Sequence, residues 1–203
     1  MPDFTPDPAF RIETPRLVLG HLFADNPVHQ QFIVDLYNTP EFHAAEGKTG
    51  IDTPEIAQKY INGRIKTLFE KFGYSHYAVY VKGDEEKPIG TVGLTSGDEE
   101  ASFPGPDVGF VFLPEAMGKG YATEAASGLV AYAQKELGVK LIFGMTGEHN
   151  TRSQKVMERM GMEFRGKKKL KMFGGQESMV YVLKGMGELE ELGIINGQHI
   201  VVD

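Results

Sequence analysis

The chain contains no cysteine. That absence excludes a disulfide-stapled scaffold, a thiolate nucleophile and a cysteine zinc site, and it fits a reducing compartment. Long hydrophobic runs are missing too: no apolar stretch approaches the roughly 18 residues of a membrane span. The first ten residues, MPDFTPDPAF, are acidic and proline-rich, with neither a basic n-region nor an apolar h-region, so they do not read as a signal peptide. There is no basic excess, since 21 Lys and Arg face 28 Asp and Glu for a net charge of -7 at pH 7. A nucleic-acid binder usually carries a basic excess. The balance therefore argues against nucleic-acid partners, and it suits either a cationic acceptor or plain solubility. The six histidines are scattered without metal-ligand spacing, which predicts no metal. A cytoplasmic protein without a membrane segment is the expectation, and 203 residues suit one domain.

What is present is a chain of alternating strand and helix signals. Residues 16–22 (RLVLGHL) alternate apolar and polar side chains and read as a first strand. Residues 27–37 are helix-like, and residues 42–51 read as a polar, glycine-bearing loop. Asp52-Thr53-Pro54-Glu55 is a helix start, a capping side chain followed by proline in the first turn. Ile61, Ile65, Leu68 and Phe72 continue that helix until Gly73 stops it. Strands are predicted at 77–81 and 89–94. A third, 108–113 (VGFVFL), is so continuously apolar that it reads as buried on both faces. Ala122, Ala125, Ala126, Leu129, Val130 and Ala133 form an amphipathic helical stripe. A strand at 141–145 follows. Thr151-Arg152-Ser153-Gln154 then matches a capping box that opens a further helix. Two strands, 163–171 and 178–183, flank a glycine turn at Gly174-Gly175. Residues 185–203 change character and read as a short helix and strand or a loosely held tail, with no independent domain. The order β-α-α-β-β-β-α-β-α-β-β predicts a single mixed α/β (α+β) domain.

Between the apolar strand and the alanine-rich helix lies EAMGKGYATEAA, residues 115–126. A helix N-terminus exposes unpaired amides and partial positive charge, and glycine lets a ligand approach the backbone closely, so an anion site here has a physical basis. The P-loop pattern G-x-x-x-x-G-K-S/T fails twice, at Leu113 and at Gly120. The dinucleotide pattern G-x-G-x-x-G/A fails at Thr123. The pattern Q/R-x-x-G-x-G/A is met at Gly120 and Ala122, with Met117 in the place of the usual glutamine or arginine.

This last pattern resembles the acetyl-CoA loop of the GNAT superfamily of N-acetyltransferases. Four further segments carry the resemblance to the branch that acetylates ribosomal-protein N-termini. GFVFLPEAMGKGYATEA is similar to its strand, loop and helix, and EHNTRSQKVMERMGMEFRG to its asparagine–serine segment and helix. ETPRLVLGHL is similar to its opening strand and KPIGTVGL to its central strand. The resemblance covers residues 13–184, flanked by an N-terminal extension at 1–12 and a C-terminal one at 185–203. It implies a mixed, mostly antiparallel sheet of about seven strands, splayed at its centre, with helices on both faces. It also implies acetyl-CoA as co-substrate. The Phe112–Leu113 backbone would bond the pantetheine, and the amides of Gly118, Lys119, Gly120, Tyr121, Ala122 and Thr123 would cradle the pyrophosphate. Asn150 would hold the pantetheine arm, and Ser153 would stand near the CoA sulfur as an acid.

The implied reaction is direct attack of a neutral amine on the acetyl thioester, the amine belonging to a protein N-terminus or to a small molecule. Such amines are mostly protonated at neutral pH and must lose a proton. Glu46 is expected to border the acceptor, with Glu115, Asp107, His76 and His149 as other candidates for the base. A catalytically silent CoA-binding or sensor module is the alternative, and either a monomer or a homodimer is compatible with the sequence. Ordinary helix-start chemistry is the competing explanation for Asn150 and Ser153.

Overall fold

In the computed structural model, residues 3–97 and 99–202 are described. They pack as two compact units, Met1–Leu94 with Gly109–Tyr132, and Thr95–Val108 with Ala133–Asp203. Eight strands and six α-helices are present among the described residues, one strand more than expected. The extra one is β1 (Ile12–Glu13), which at two residues is too short to leave a period in the sequence. Among the described residues β5 pairs with β6 in parallel, while β1–β2, β2–β3, β3–β4, β6–β8 and β7–β8 are antiparallel, so the fold is mixed α/β with mostly antiparallel pairing, as expected.

In the first unit β1 pairs with β2 (Leu17–His21), β2 with β3 (His76–Val81), and β3 with β4 (Gly90–Thr95), all antiparallel. Every residue of β2 is buried. The N-terminal segment lies against this core, with Phe4 stacked on Phe69 at 4.1 Å and Phe10 stacked on His21 at 4.3 Å. Asn26 caps α1 (Pro27–Tyr37), which buries Phe32, Ile33 and Leu36.

The segment read as a loop, 42–51, begins inside a helix, α2 (Pro40–Glu46). Thr39 caps it by accepting the Phe42 amide, and Pro40 occupies the first turn. The same arrangement opens α3 (Pro54–Tyr60), where Thr53 caps and Pro54 follows. Thr39-Pro40-Glu41 thus carried the start signal recognised at Thr53-Pro54-Glu55. A run of only seven residues, followed at once by Gly47, hid its helical period. Beyond α3 the chain widens into a π-helical turn, Ile61–Ile65, before α4 (Lys66–Phe72).

Strand β5 (Asp107–Phe112) is not buried on both faces. Val108 and Phe112 are buried, but Gly109, Phe110 and Val111 stay partly open. Apolar composition promised cover on both faces, and the protein itself supplies it on less than that. Helix α5 (Tyr121–Glu136) follows and buries Ala125, Ala126, Leu129 and Ala133.

In the second unit β5 runs parallel to β6 (Phe143–Thr146) and is registered with it only at Asp107↔Phe143. β6 pairs with β8 (Gln176–Leu183), and β8 with β7 (Met162–Leu170). Helix α6 (Thr151–Arg159) stands between β6 and β7 in sequence. The C-terminal segment is held firmly: Leu189, Ile194 and Ile200 pack into one apolar cluster with Phe103, Phe143, Leu170, Val180 and Val182. These buried side chains anchor the tail through the hydrophobic effect.

Candidate functional site

The loop between β5 and α5 belongs to the first unit. Pro114 opens a 3-10 turn, Pro114–Ala116, closed by the Ala116 amide on the Leu113 carbonyl at 2.9 Å. Met117 then extends the chain. Gly118 and Gly120 take φ values of 74° and 80°, a region that no non-glycine residue enters among the described residues. A side chain at position 118 would meet no atom within 4 Å, so glycine is needed there for its backbone angle and not for space. The first intrahelical bond of α5 is Glu124 amide to Gly120 carbonyl, 3.1 Å. None of the amides from Gly118 to Thr123 finds an acceptor among the described residues. Successive unpaired amides around left-handed glycines at a helix N-terminus form a concavity suited to an anion. Lys119 is exposed beside it.

Arg16, at the entry to β2, holds this loop. Its Nε donates to Glu124 at 2.6 Å, its Nη1 donates to the Lys119 carbonyl at 3.0 Å, and its guanidinium lies 4.8 Å from the centre of the Tyr121 ring. The Arg16 amide and the Thr14 hydroxyl both donate to the other carboxylate oxygen of Glu124, at 2.7 and 2.6 Å. Burial pushes the Glu124 carboxyl up, but these hydrogen bonds outweigh it and hold the group below its ordinary value. No sequence signal pairs residues 108 positions apart. In the sequence Arg16 reads only as the start of a strand, and nothing marks Glu124 out.

Just beyond β5 the Leu113 amide already donates to the Ile89 carbonyl, 3.0 Å. It is therefore not available to a pantetheine. Backbone direction alternates along a strand, so the Phe112 amide faces away from Ile89. The half-open stretch Gly109–Val111 lies directly upstream.

Asn150 and Ser153 lie in the second unit, at the start of α6. The capping box expected from Thr151 and Gln154 is not formed. Asn150 is the cap, its Oδ1 accepting the Ser153 amide at 3.1 Å. Gln154 instead turns its side-chain amide to the Glu148 and Gly147 carbonyls at 2.8 and 3.3 Å. Asparagine outranks threonine as a cap, which decides the choice. Asn150 keeps its side-chain NH2 for other use, and the Ser153 hydroxyl has no partner among the described residues.

The candidate bases differ in setting. Glu46 is the exposed last residue of α2. Glu115 and His149 are exposed. Asp107 accepts the Met145 amide at 2.8 Å and so braces β6. His76 is half-buried, its Nδ1 enclosed without a partner, and desolvation lowers it to about 4. Lys167, first of the three consecutive lysines 167–169, is paired with Glu148 and Glu177 at 2.7 and 2.8 Å in the second unit. The described residues include no group of three or more histidine or carboxylate side chains fit to hold a metal, and no helix long and apolar enough to cross a membrane.

Residues 16–163 match the acetyltransferase (GNAT) domain family. The chain belongs to the GNAT family. That span contains Arg16, the whole Gly118–Thr123 loop, Asn150 and Ser153. A curated relative, the uncharacterized N-acetyltransferase YnaD of Bacillus subtilis (strain 168), is 30% identical over 117 residues. The match covers 58% of this chain and 64% of YnaD, so the chain spans a little under two thirds of that relative's length. Among solved GNAT folds, an acetyltransferase from Bacillus anthracis superposes with a TM-score of 0.66 at 23% identity, covering 86% of this chain and 98% of its own. The ribosomal L7/L12 α-N-protein acetyltransferase RimL, solved with coenzyme A, gives 0.66 at 14% identity, covering 87% and 100%.

Proposed function

We propose that the protein is an acetyl-CoA-dependent N-acetyltransferase whose acceptor is a primary amine, either a protein N-terminus or a small molecule. The observation that carries the reading is the run of unpaired amides from Gly118 to Thr123, shaped by two left-handed glycines at the head of a 16-residue helix. Its positive backbone dipoles suit a pyrophosphate. Met117 in place of glutamine or arginine removes one side-chain contribution and none of these amides. The half-open apolar stretch of β5 supports a thioester-bearing arm beside the Phe112 amide.

In this reading the amine nitrogen attacks the acetyl carbonyl carbon. The C–N bond forms, the C–S bond breaks and CoA leaves as a thiolate. A strand amide of β5 stabilises the developing oxyanion. The amine gives up one proton to a base or water chain bordered by Glu46, and the thiolate receives one from Ser153. Asn150 steadies the pantetheine through its side-chain NH2. A ribosomal-type acceptor is supported by the relationship to RimL, and the absence of cysteine supports a cytoplasmic setting.

The test is CoA release from acetyl-CoA with a panel of peptide N-termini and small amines. Acceptor-dependent release supports the proposal. Tight CoA binding with no acceptor-dependent release from any member would instead identify a silent CoA-binding module. A larger thermal shift with ATP or NAD than with CoA would overturn the assignment of the loop.

A further inference from the structure

Glu124 presents a problem for an anion site. It places a carboxylate in the first turn of α5, directly after the amides proposed to hold a pyrophosphate. Left alone, that charge would oppose the ligand. It is not left alone: Arg16 covers one oxygen with Nε, while Thr14 Oγ1 and the Arg16 amide cover the other. The same guanidinium reaches across to the Lys119 carbonyl at the crest of the loop and lies against Tyr121. Its Nη2 also stands 3.4 Å from where a side chain at position 120 would begin. One side chain therefore neutralises the carboxylate and ties the crest of the loop to the first turn of the helix.

We infer that Arg16 and Glu124 form a clamp that pre-shapes the Gly118–Thr123 cradle and cancels the charge that would repel a diphosphate. The inference rests on the acetyl-CoA reading of that loop. Arg16 and Glu124 are positioning residues, acting through the loop and not on the reacting atoms. Two effects follow that can be separated. Losing Arg16 frees the loop crest, and it also uncovers a partly buried negative charge, 15% exposed at Glu124, beside the anion site. Removing the carboxylate as well cancels only the second effect. The substitution Glu124→Gln keeps an acceptor oxygen for the Thr14 hydroxyl and the Arg16 amide while discarding the charge.

The experiment measures CoA affinity by calorimetry for the wild type, R16A and the double variant R16A/E124Q. Tryptic nicking after Lys119 is followed in each protein without ligand. R16A is expected to bind CoA about tenfold more weakly or worse, as an uncompensated charge within several ångströms of a diphosphate implies, and to be nicked faster at Lys119. R16A/E124Q is expected to regain most of the affinity while still being nicked faster. Purely structural damage would not be repaired by a second substitution. Wild-type affinity in R16A, or a double variant that binds no better than R16A, overturns the clamp. A wild-type protein that binds no CoA overturns the acetyl-CoA reading instead. The nicking rates then decide the clamp by themselves, and an unchanged rate at Lys119 in R16A would refute it.

Discussion

Asn150 and Ser153 are joined to one another: the Asn150 side-chain oxygen accepts the Ser153 backbone amide at 3.1 Å. The asparagine that the family resemblance assigns to the cofactor is therefore also the N-cap of α6. A cap and a ligand contact use different atoms of the amide, Oδ1 for the helix and Nδ2 for the pantetheine. This separates the two roles experimentally. Asn150→Ala is expected to cost about 1 kcal/mol of stability through the lost cap. Asn150→Asp keeps the capping oxygen and puts a favourable negative charge at the helix start, so thermal stability should hold while CoA affinity falls several-fold. Equal CoA affinity in Asn150→Asp would leave Asn150 with the cap alone.

Ser153 contributes its backbone to that cap and keeps its hydroxyl out of it. Ser153→Ala therefore leaves α6 intact. If the hydroxyl protonates the leaving thiolate, kcat with the best acceptor should fall by about tenfold or more, within the usual range for a lost general acid. The CoA dissociation constant should change by less than about twofold. Pre-steady-state CoA release together with calorimetry separates the two quantities, and an unchanged kcat would remove Ser153 from the chemistry.

Gly120 combines a left-handed backbone with a position inside the proposed cradle. Gly120→Ala adds backbone strain, on the order of 1 kcal/mol, and a contact with Arg16 Nη2, but no charge. Gly120→Asp adds a carboxylate where a diphosphate is proposed to bind. CoA binding should be lost in Gly120→Asp and only weakened in Gly120→Ala, as read by calorimetry. Undiminished binding in Gly120→Asp would contradict the loop assignment.

Gly93 on β4 is small for a different reason, since its φ is ordinary. A side chain there would begin 2.7 Å from His76 Cδ2 and 3.0 Å from the Ser75 carbonyl. The Leu94 amide donates to that same carbonyl at 3.0 Å, so the backbone cannot withdraw without breaking a strand bond. Gly93→Ala is expected to destabilise by about 2–3 kcal/mol through overpacking. For a chain of this size, that is a fall in Tm of roughly 5–10 °C. Differential scanning calorimetry checks it.

Three histidines set the response to acid. Burial lowers His21, His29 and His76, the last to about 4 from an ordinary 6.5. The Asp7 and Phe23 amides donate to Nδ1 of His21 and His29, each at 2.9 Å, which fixes those rings in the neutral form. The unfolded chain takes up protons near pH 6.5 and the folded chain does not. Their contribution is therefore complete above about pH 6.5 and is lost as pH falls through their lowered folded values, which for His76 is about 4. At about 1.4 kcal/mol per tenfold change in proton affinity, His76 alone should account for roughly 2 kcal/mol between pH 6.5 and 5. Glu124, held low, contributes its own loss only at more acid pH, below the ordinary carboxylate range. Urea midpoints measured from pH 8 to 5 should fall, and a His76→Phe variant should flatten the curve. A flat wild-type curve would contradict this account.

The sequence by itself determined the class of fold and the place of the loop. Those depend on short-range physics: the alternation of β2, the alanine stripe of α5, and glycines at 118 and 120 that permit left-handed backbone beside a helix start. It also held the start signal of α2 at Thr39-Pro40, legible by the rule that found α3 but masked by the shortness of the helix. Tertiary structure alone decided the rest. Nothing local says that Arg16 meets Glu124, that Asn150 and not Thr151 caps α6, or that the apolar centre of β5 stays partly open. Nor does composition reveal that Leu189, Ile194 and Ile200 close the core of the second unit. Pairing between residues distant in the chain follows from how whole elements bury their apolar faces, and a local pattern carries no record of that partner.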